Sequence, residues 1–221
     1  MSLDGKVSAG GKSGSIGSPS DRETMRILRS KADAVMIGAG TLRAEKASLT
    51  SEGRRDPEPL AILVSSTLDF PIRNLLHAVK ERTIILTSES AGNQNCGMLG
   101  EHAEVVRCKT NHSQGIASID LAEALRNLKG AWGVNRILLE GGPTLNHGLI
   151  SDGLVSELFL TISPKILGGT SNESIGIVNG QTPDIGVDPK LVSIHESIGE
   201  VFLRHKISNA LLPTLNPLSF R

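Results

Sequence analysis

Aromatic residues, cysteines and net charge are all scarce in this sequence. Aromatic side chains make up 2% of the 221 residues and Tyr is absent, so Val, Ile and Leu must fill any core. The two cysteines, Cys96 and Cys108, lack metal-ligand spacing, and no two histidines stand four residues apart. We therefore predict no metal site, and free thiols in a reducing compartment.

The balance of charge and the lack of long apolar runs exclude further classes of protein. The formal net charge is zero, which argues against nucleic acid or a membrane surface as the main partner. No apolar run approaches the length of a transmembrane helix. MSLDGKVSAGG at residues 1–11 has no signal-peptide core. We expect a cytoplasmic protein that binds neither nucleic acid nor a membrane.

The stretch ILLEGGPTLN at residues 137–146 carries the strongest functional signal. A short apolar strand ends in Glu140, two glycines follow, and Pro143 then opens a helical pattern. Glycines let a ligand approach the backbone closely, and proline suits the first turn of a helix. The free N–H groups and the dipole of that turn favour phosphate. Two interpretations stay open here: a tightly packed strand-to-helix turn, or a cofactor site.

Two other glycine-rich stretches mimic nucleotide-binding motifs without completing them. Gly10-Gly11-Lys12-Ser13 resembles the end of a P-loop, but Lys6 stands where its first glycine belongs and no strand precedes it. The GxGxxG-like stretch at 38–43 ends in Arg43 in place of the last glycine, and no ribose-binding acid follows. We therefore reject a P-loop and disfavour a Rossmann domain.

Apolar strands alternate with helices along most of the chain, and the last elements are strands. This order predicts an α/β fold in one domain over residues 1–207, mostly parallel with antiparallel strands at one edge. Residues 208–221 have no periodicity and predict a loosely ordered tail, and 93–100 and 169–189 predict loops. The predicted helices are 21–31, capped by Ser18 or Ser20, and 119–128, capped by Ser118. The predicted strands are 34–37, 60–65, 83–87, 103–107, 137–139 and 154–162, followed by a hairpin of 192–194 with 201–203.

Six segments in the same order resemble one family, the reductase domain of riboflavin biosynthesis, which is the C-terminal half of a bifunctional deaminase–reductase. The resemblance covers roughly residues 1–207 and implies a dihydrofolate-reductase-like fold. That fold is a mostly parallel twisted sheet with helices on both faces and an antiparallel C-terminal hairpin. The segments are MSLDGK at 1–6, Ser18-Pro19, GAGTLRAE at 38–45, LEGGPTLN at 139–146, GLVSEL at 153–158 and SPKILGG at 163–169.

The resemblance also implies an activity. Family members use NADPH to reduce the ribosyl group of a phosphoribosylamino-pyrimidine to ribityl, with hydride delivered to C1′ of the opened sugar, and they commonly form homodimers. Whether the pyrimidine is deaminated before reduction stays open. The family's opening motif usually follows a long apolar strand carrying a Lys, and here the chain begins within that motif, so we expect the first strand to be missing. An alternative is therefore a catalytically impaired NADPH-binding or assembly module. A dihydrofolate reductase proper is disfavoured because Asp21 lies at a helix start.

The cofactor contacts that the resemblance implies cluster in two motifs. Thr41 follows the first glycine pair, and Glu45 stands where the family has Asp. Ser15 replaces a Trp that relatives often place beside the nicotinamide, and Ser66 follows a strand. The turn after Glu140 is expected to wrap the pyrophosphate through its backbone N–H groups and a Thr hydroxyl, using Gly141, Gly142, Pro143, Thr144 and Leu145.

The substrate contacts implied by the resemblance are Ser13, Arg29, Leu49, Arg54 and Glu140, with Glu140 and Asp4 as candidate catalytic residues. A guanidinium at a helix end can grip a phosphate in two places, and the resemblance implies that role for Arg29; taken without the resemblance, Arg29 is predicted to be a solvated helix residue. Glu140, at the end of a strand, could bond the sugar or the pyrimidine N–H groups. Arg54 is chosen because Glu52 stands where the family carries a substrate arginine; Arg55 is the alternative.

Overall fold

A computed structural model describes most of the chain in two compact units. One unit combines Met1–Met25 with the chain from Asn146 onward, and the other is Arg26–Leu145. The prediction of one reductase domain with a loose tail stays a prediction, and residues 208–221 lie outside the described part. The described residues are 1–8, 13–44, 48–71, 79–92, 96–113, 116–169, 176–180 and 187–207.

A parallel sheet of five strands forms the framework of the unit Arg26–Leu145. The strand order is β4-β3-β2-β1-β7, and all four pairings are parallel. The interior strand β1 is buried along its whole length, as expected for a sheet covered on both faces. The predicted mostly parallel α/β fold is therefore confirmed. The strands are β1 (Ala34–Gly38), β2 (Leu60–Val64), β3 (Thr83–Ser88), β4 (Glu104–Cys108) and β7 (Ile137–Leu139).

The core of this unit is aliphatic, as the scarcity of aromatic residues requires. Val35, Ile37, Leu63 and Ile85 from the sheet pack with residues of the connecting segments, and Phe70 is the one aromatic side chain of the described cluster. The helices are α1 (Pro19–Lys31), α2 (Ala39–Ala44), α3 (Cys96–Gly100), α4 (Leu121–Trp132) and α5 (Pro143–Ser151), with a 3-10 turn at Lys80–Arg82. None of the described helices combines the length and the apolar character that a bilayer crossing requires.

The boundary predicted for one helix is wrong. Ile119 does not begin α4, because it ends strand β6 (Ile116–Ile119), which pairs with β5 (Thr110–Ser113). The cap of α4 is Asp120, whose carboxylate accepts a hydrogen bond from the N–H of Glu123 at 2.9 Å. Asp is as good a cap as Ser, so hairpin pairing upstream decided the boundary. The loop predicted over 93–100 also contains the short helix α3, while residues 93–95 lie outside the described part.

An antiparallel sheet of three strands, ordered β8-β10-β9, belongs to the other unit. The strands are β8 (Glu157–Ile162), β9 (Lys190–Ser197) and β10 (Glu200–Lys206). The predicted C-terminal hairpin is confirmed, with its turn at Ile198-Gly199. Strand β10 pairs with both β9 and β8, so the hairpin belongs to a separate sheet rather than to an edge of the parallel sheet. In the same unit Ser18 caps α1, accepting from the N–H groups of Ser20 and Asp21 at 3.0 and 3.2 Å.

The hairpin turn gives a stability prediction. Ile198 has φ +54° and is 80% exposed, and Gly199 has φ +76°, the pattern of a type I′ turn. A β-branched residue is strained there, so Ile198→Asn should raise the free energy of unfolding by about 1 kcal/mol in urea denaturation. Ile166→Asn is the matched control, because Ile166 is 77% exposed and its φ is not positive. Equal stabilisation by both variants would contradict the explanation from turn geometry.

Candidate functional site

The carboxyl ends of β1 and β7 are joined beyond the last paired residues of the two strands. The N–H of Glu140 donates to the carbonyl of Met36 at 2.9 Å, and the N–H of Gly38 donates to the carbonyl of Gly141 at 2.7 Å. The glycine turn after β7 therefore lies against the junction of β1 and α2. Open α/β sheets place their ligands at such carboxyl ends.

These two segments approach each other closely. A Cβ on Gly142 would lie 3.1 Å from the Thr41 hydroxyl oxygen, and one on Gly38 would lie 3.6 Å from the Cβ of Leu145. Gly141 has φ +90°, which side chains rarely adopt, and it is buried. The peptide bond between Gly141 and Gly142 is cis. The predicted cofactor residues Gly141, Gly142 and Leu145 thus lie beside the segment of Gly38 and Thr41.

Helix α5 begins directly after this turn and presents its amino end there. Pro143 is its first residue, where the missing N–H costs nothing. The N–H groups of Thr144 and Leu145 lie in the first turn, which has no intrahelical acceptors for them. Thr144 is exposed, while Gly142 and Leu145 are half-buried, so the turn is accessible. Its donors and dipole suit a phosphate group, and the absence of a Cβ at Gly142 leaves room for one.

An ion pair joins two of the predicted substrate residues. Arg29 Nε donates to Glu140 Oε1 at 2.6 Å, and Arg29 Nη2 donates to Glu140 Oε2 at 2.7 Å, a two-point contact. The side chains are 16% and 11% exposed. Arg29 Nη1 also donates to the Thr50 carbonyl at 3.1 Å. Burial alone would lower the pKa of Arg29, but the bonds and charge of Glu140 raise it above its usual value.

The pair leaves Arg29 able to bind a ligand as well. Its bonds within the described part of the chain use one N–H each on Nε, Nη1 and Nη2, so the second N–H of Nη1 and of Nη2 can bind an anionic or hydroxyl oxygen. Glu140 adjoins Gly141, so the pair lies at the glycine turn. Arg29 would therefore bind a phosphate through these two N–H groups only, because its Nε–H and one N–H of Nη2 donate to Glu140.

The remaining residues predicted to bind cofactor or substrate in this unit lie outside the glycine turn. Leu49 is 6% exposed and belongs to the hydrophobic core, so a ligand contact there falls to its backbone. Ser66 and Arg54 are both exposed. Glu45 lies outside the described residues. Roles for these four residues stay predictions.

Asp4, Ser13 and Ser15 belong to the other unit. The Asp4 carboxylate accepts from the N–H groups of Leu167 and Gly168 at 3.1 and 2.9 Å, so it holds the turn of the segment 163–169. A hydrogen bond from Ser2, together with these N–H groups, keeps the pKa of Asp4 well below its usual range. Ser13 and Ser15 are exposed. A catalytic role for Asp4 stays a prediction, and the contacts seen here are structural.

Two groups at the site had no signal in the sequence. The Thr50 carbonyl orients Arg29, and backbone acceptors carry no side-chain pattern. Glu58 holds the segment that presents this carbonyl, accepting from the N–H groups of Ser51 and Gly53. In the sequence, Glu58 stands before Pro59 at the end of a polar linker, which predicts no contact with the site.

Comparisons with known proteins match the chain to proteins of riboflavin biosynthesis. The family model of the RibD C-terminal domain matches residues 1–201. The chain is 32% identical over 187 residues to the 2,5-diamino-6-ribosylamino-4(3H)-pyrimidinone 5′-phosphate reductase of Methanothermobacter thermautotrophicus, covering 83% of this chain and 82% of that protein. It is 31% identical to the riboflavin biosynthesis protein RibD of Actinobacillus pleuropneumoniae, covering 92% of this chain and 54% of RibD. The chain thus spans about half the length of that relative.

Solved structures show the same fold. A pyrimidine reductase-like protein from Corynebacterium diphtheriae superposes with a TM-score of 0.75 at 24% identity, over 94% of this chain and 88% of that one. The riboflavin biosynthesis reductase of Saccharomyces cerevisiae superposes with a TM-score of 0.69 at 20% identity, over 94% and 86%. The dihydrofolate-reductase-like fold that the sequence motifs imply is therefore confirmed.

Proposed function

Since the chain belongs to the RibD C-terminal domain family, we propose that it is an NADPH-dependent reductase of a phosphoribosylamino-pyrimidine in riboflavin biosynthesis. It would convert the ribosyl group of that substrate to a ribityl group. One observation carries the proposal: a glycine turn at the amino end of helix α5 directly adjoins the largely buried Arg29–Glu140 pair at the carboxyl ends of β1 and β7. A donor-lined turn suits a pyrophosphate, and the pair beside it suits a phosphorylated, hydroxyl-rich sugar.

The residues of the turn fit a dinucleotide. Gly142 leaves free the space that a Cβ would fill against Thr41, and Thr144 and Leu145 offer backbone N–H groups to phosphate oxygens. The Thr41 hydroxyl lies at the same turn and can donate to a phosphate or accept from the ribose. When bound, NADPH would supply a hydride for C1′ of the ring-opened sugar. The contribution of the turn is binding and orientation.

Arg29 and Glu140 would bind and orient the substrate. The two remaining N–H groups of Arg29 can bond the sugar phosphate, while Glu140 accepts from a sugar hydroxyl or a pyrimidine N–H. Because Glu140 and Thr50 already fix the guanidinium, little conformational entropy is lost when the substrate binds. Two relatives of which the chain covers 82% and 81% are named for the diamino pyrimidinone phosphate, which supports a substrate of this class.

A steady-state assay tests the proposed function. The purified chain is mixed with NADPH and either the diamino or the deaminated phosphoribosylamino-pyrimidine, and loss of the reduced nicotinamide absorbance is followed. We expect oxidation that depends on the pyrimidine, and a ribitylamino product by mass spectrometry. A folded chain that binds NADPH but reduces neither pyrimidine would contradict the reductase and favour a cofactor-binding module.

We also propose that the chain forms a homodimer through its antiparallel sheet. The edge strand β9 exposes Leu191, Val192 and Ile194, which are 55%, 51% and 64% exposed. Exposed apolar side chains on the edge strand of the described sheet favour association with another protein surface. Sedimentation equilibrium is expected to give the mass of two chains, and a mass of one chain would contradict the dimer.

A further inference from the structure

The segment from Ser48 to Glu58, between α2 and β2, is tied to helix α1 by two arginines. The Thr50 carbonyl accepts from Arg29 Nη1 at 3.1 Å, and the Glu52 carboxylate pairs with Arg26 Nε at 2.7 Å. Arg26 and Arg29 are three residues apart and so share one face of the helix. The position of this segment therefore affects the direction of the Arg29 guanidinium.

A tight turn in the segment is built around the carboxylate of Glu58. Its Oε2 accepts from the N–H of Ser51 at 2.5 Å, and its Oε1 accepts from the N–H of Gly53 at 2.6 Å. The chain turns here through two consecutive left-handed residues, Glu52 at φ +55° and the second donor residue, Gly53, at φ +78°. Such a turn aims successive N–H groups inward, and a carboxylate is the acceptor that such N–H groups favour. Ser51 is fully buried at the centre of the turn.

Glu58 is itself anchored to the parallel sheet. It lies two residues before β2, where the N–H of Leu60 donates to the carbonyl of Asp33 at 2.9 Å. Arg82 donates to the carbonyl of Pro59, between Glu58 and the strand. Through its carboxylate, Glu58 therefore fixes the irregular polar segment relative to the parallel sheet.

We propose that Glu58 is a positioning residue for the Arg29–Glu140 pair. Its carboxylate fixes the turn at Ser51–Gly53, the turn fixes the adjoining Thr50 carbonyl, and that carbonyl orients Arg29 toward the substrate phosphate. This role rests on the proposed function of the site. Both oxygens of Glu58 are engaged by the N–H groups of Ser51 and Gly53, so its effect on the site would pass through Arg29.

The charged state of Glu58 suits this role. Burial alone would raise the pKa of Glu58, but hydrogen bonds from Gly53 and Ser51 and the charge of Arg82 outweigh it, and the pKa lies below its usual value. The carboxylate is therefore ionised at neutral pH, and both oxygens are acceptors.

The test uses Glu58→Gln, which keeps the size of the side chain but turns one acceptor into a donor that faces a backbone N–H. We expect the KM for the phosphorylated pyrimidine to rise about tenfold or more, the loss expected for one charge-assisted hydrogen bond. The KM for NADPH should stay within about twofold, because the glycine turn is not involved. Glu81→Gln is the matched control, since Glu81 is an exposed carboxylate in the same unit.

A second readout does not require activity. The Arg29 Nε–H, held by Glu140, should give a resolved NMR signal in the wild type that broadens or shifts in Glu58→Gln and is unchanged in Glu81→Gln. Broadening without any turnover by the wild type would support the positioning role while the proposed function fails. An unchanged Arg29 signal with an unchanged KM for the pyrimidine would overturn the positioning role.

A second variant covers the case in which Glu58→Gln does not fold. In Gly53→Ala the new Cβ lies in open space, but the φ of +78° strains the turn. This variant therefore disturbs the hydrogen bond between the Gly53 N–H and Glu58 without changing Glu58. It should reproduce the selective rise in the KM for the pyrimidine. Equal changes in both KM values and in kcat would show that the segment is merely structural, and would overturn the proposal.

Discussion

Glu140→Gln is expected to reduce pyrimidine reduction, measured as kcat/KM, by about a hundredfold, the scale of losing a charge-assisted hydrogen bond that orients the substrate. The amide can accept from only one nitrogen of Arg29, so the guanidinium loses its two-point partner in a largely buried place. The free energy of unfolding should fall by about 3 kcal/mol, because an uncompensated buried charge remains. Steady-state kinetics and urea denaturation measure the two effects separately.

A double variant separates stability from function. Replacing both partners, Arg29→Met with Glu140→Met, removes the buried charges together, and such exchanges are often neutral or stabilising. We expect a fold about as stable as the wild type with no detectable reduction of the pyrimidine. NADPH should still bind to it, because the glycine turn is intact. Wild-type turnover by the double variant would show that the pair does not contact the substrate.

Gly142→Ala is expected to weaken NADPH binding by about ten- to a hundredfold, the scale of losing one charge-assisted hydrogen bond in the turn. The new Cβ would lie 3.1 Å from the Thr41 hydroxyl, in the space assigned to the pyrophosphate. The φ of Gly142 is outside the left-handed region, so crowding at the turn is the cause of the loss. Calorimetric titration with NADPH measures the change.

Gly130→Ala provides the matched control for that experiment. Gly130 lies in α4, and a Cβ there meets nothing within 4 Å. Alanine in a helix interior should raise stability by up to about 1 kcal/mol without changing the Kd for NADPH. Unchanged NADPH binding by a folded Gly142→Ala variant would show that the cofactor lies elsewhere.

Local signals in the sequence predicted much of the fold. Continuous apolar runs marked the buried strands, since a strand covered on both faces needs no alternation. Capping is a contact between neighbours along the chain, so the sequence predicted α1 with Ser18 or Ser20 as its cap; Ser18 is the cap, and the helix begins at Pro19 rather than at Asp21. Helix α4 shows the limit of such signals. Ser118 and Asp120 were equally good caps, and the pairing of Ile119 with Thr110 decided between them.

The candidate site was predicted as a set of residues rather than as a geometry. Glu140 and Arg29 were each assigned to the substrate, but their direct pairing joins positions that are 111 residues apart, which no local pattern reports. Asp4 was assigned to catalysis, and its contacts with Leu167 and Gly168 are equally remote along the chain. Motifs indicate what a side chain could bind, and the fold determines which partners reach it.

The most direct test of the account is an NMR titration of the isotopically labelled chain with NADPH. We expect the largest changes on the backbone amides of Gly142, Thr144 and Leu145, because their N–H groups would bond the pyrophosphate. Signals from β4, at the far edge of the parallel sheet, should stay in place. Saturable NADPH binding that leaves the three amides of the turn unchanged would contradict the account.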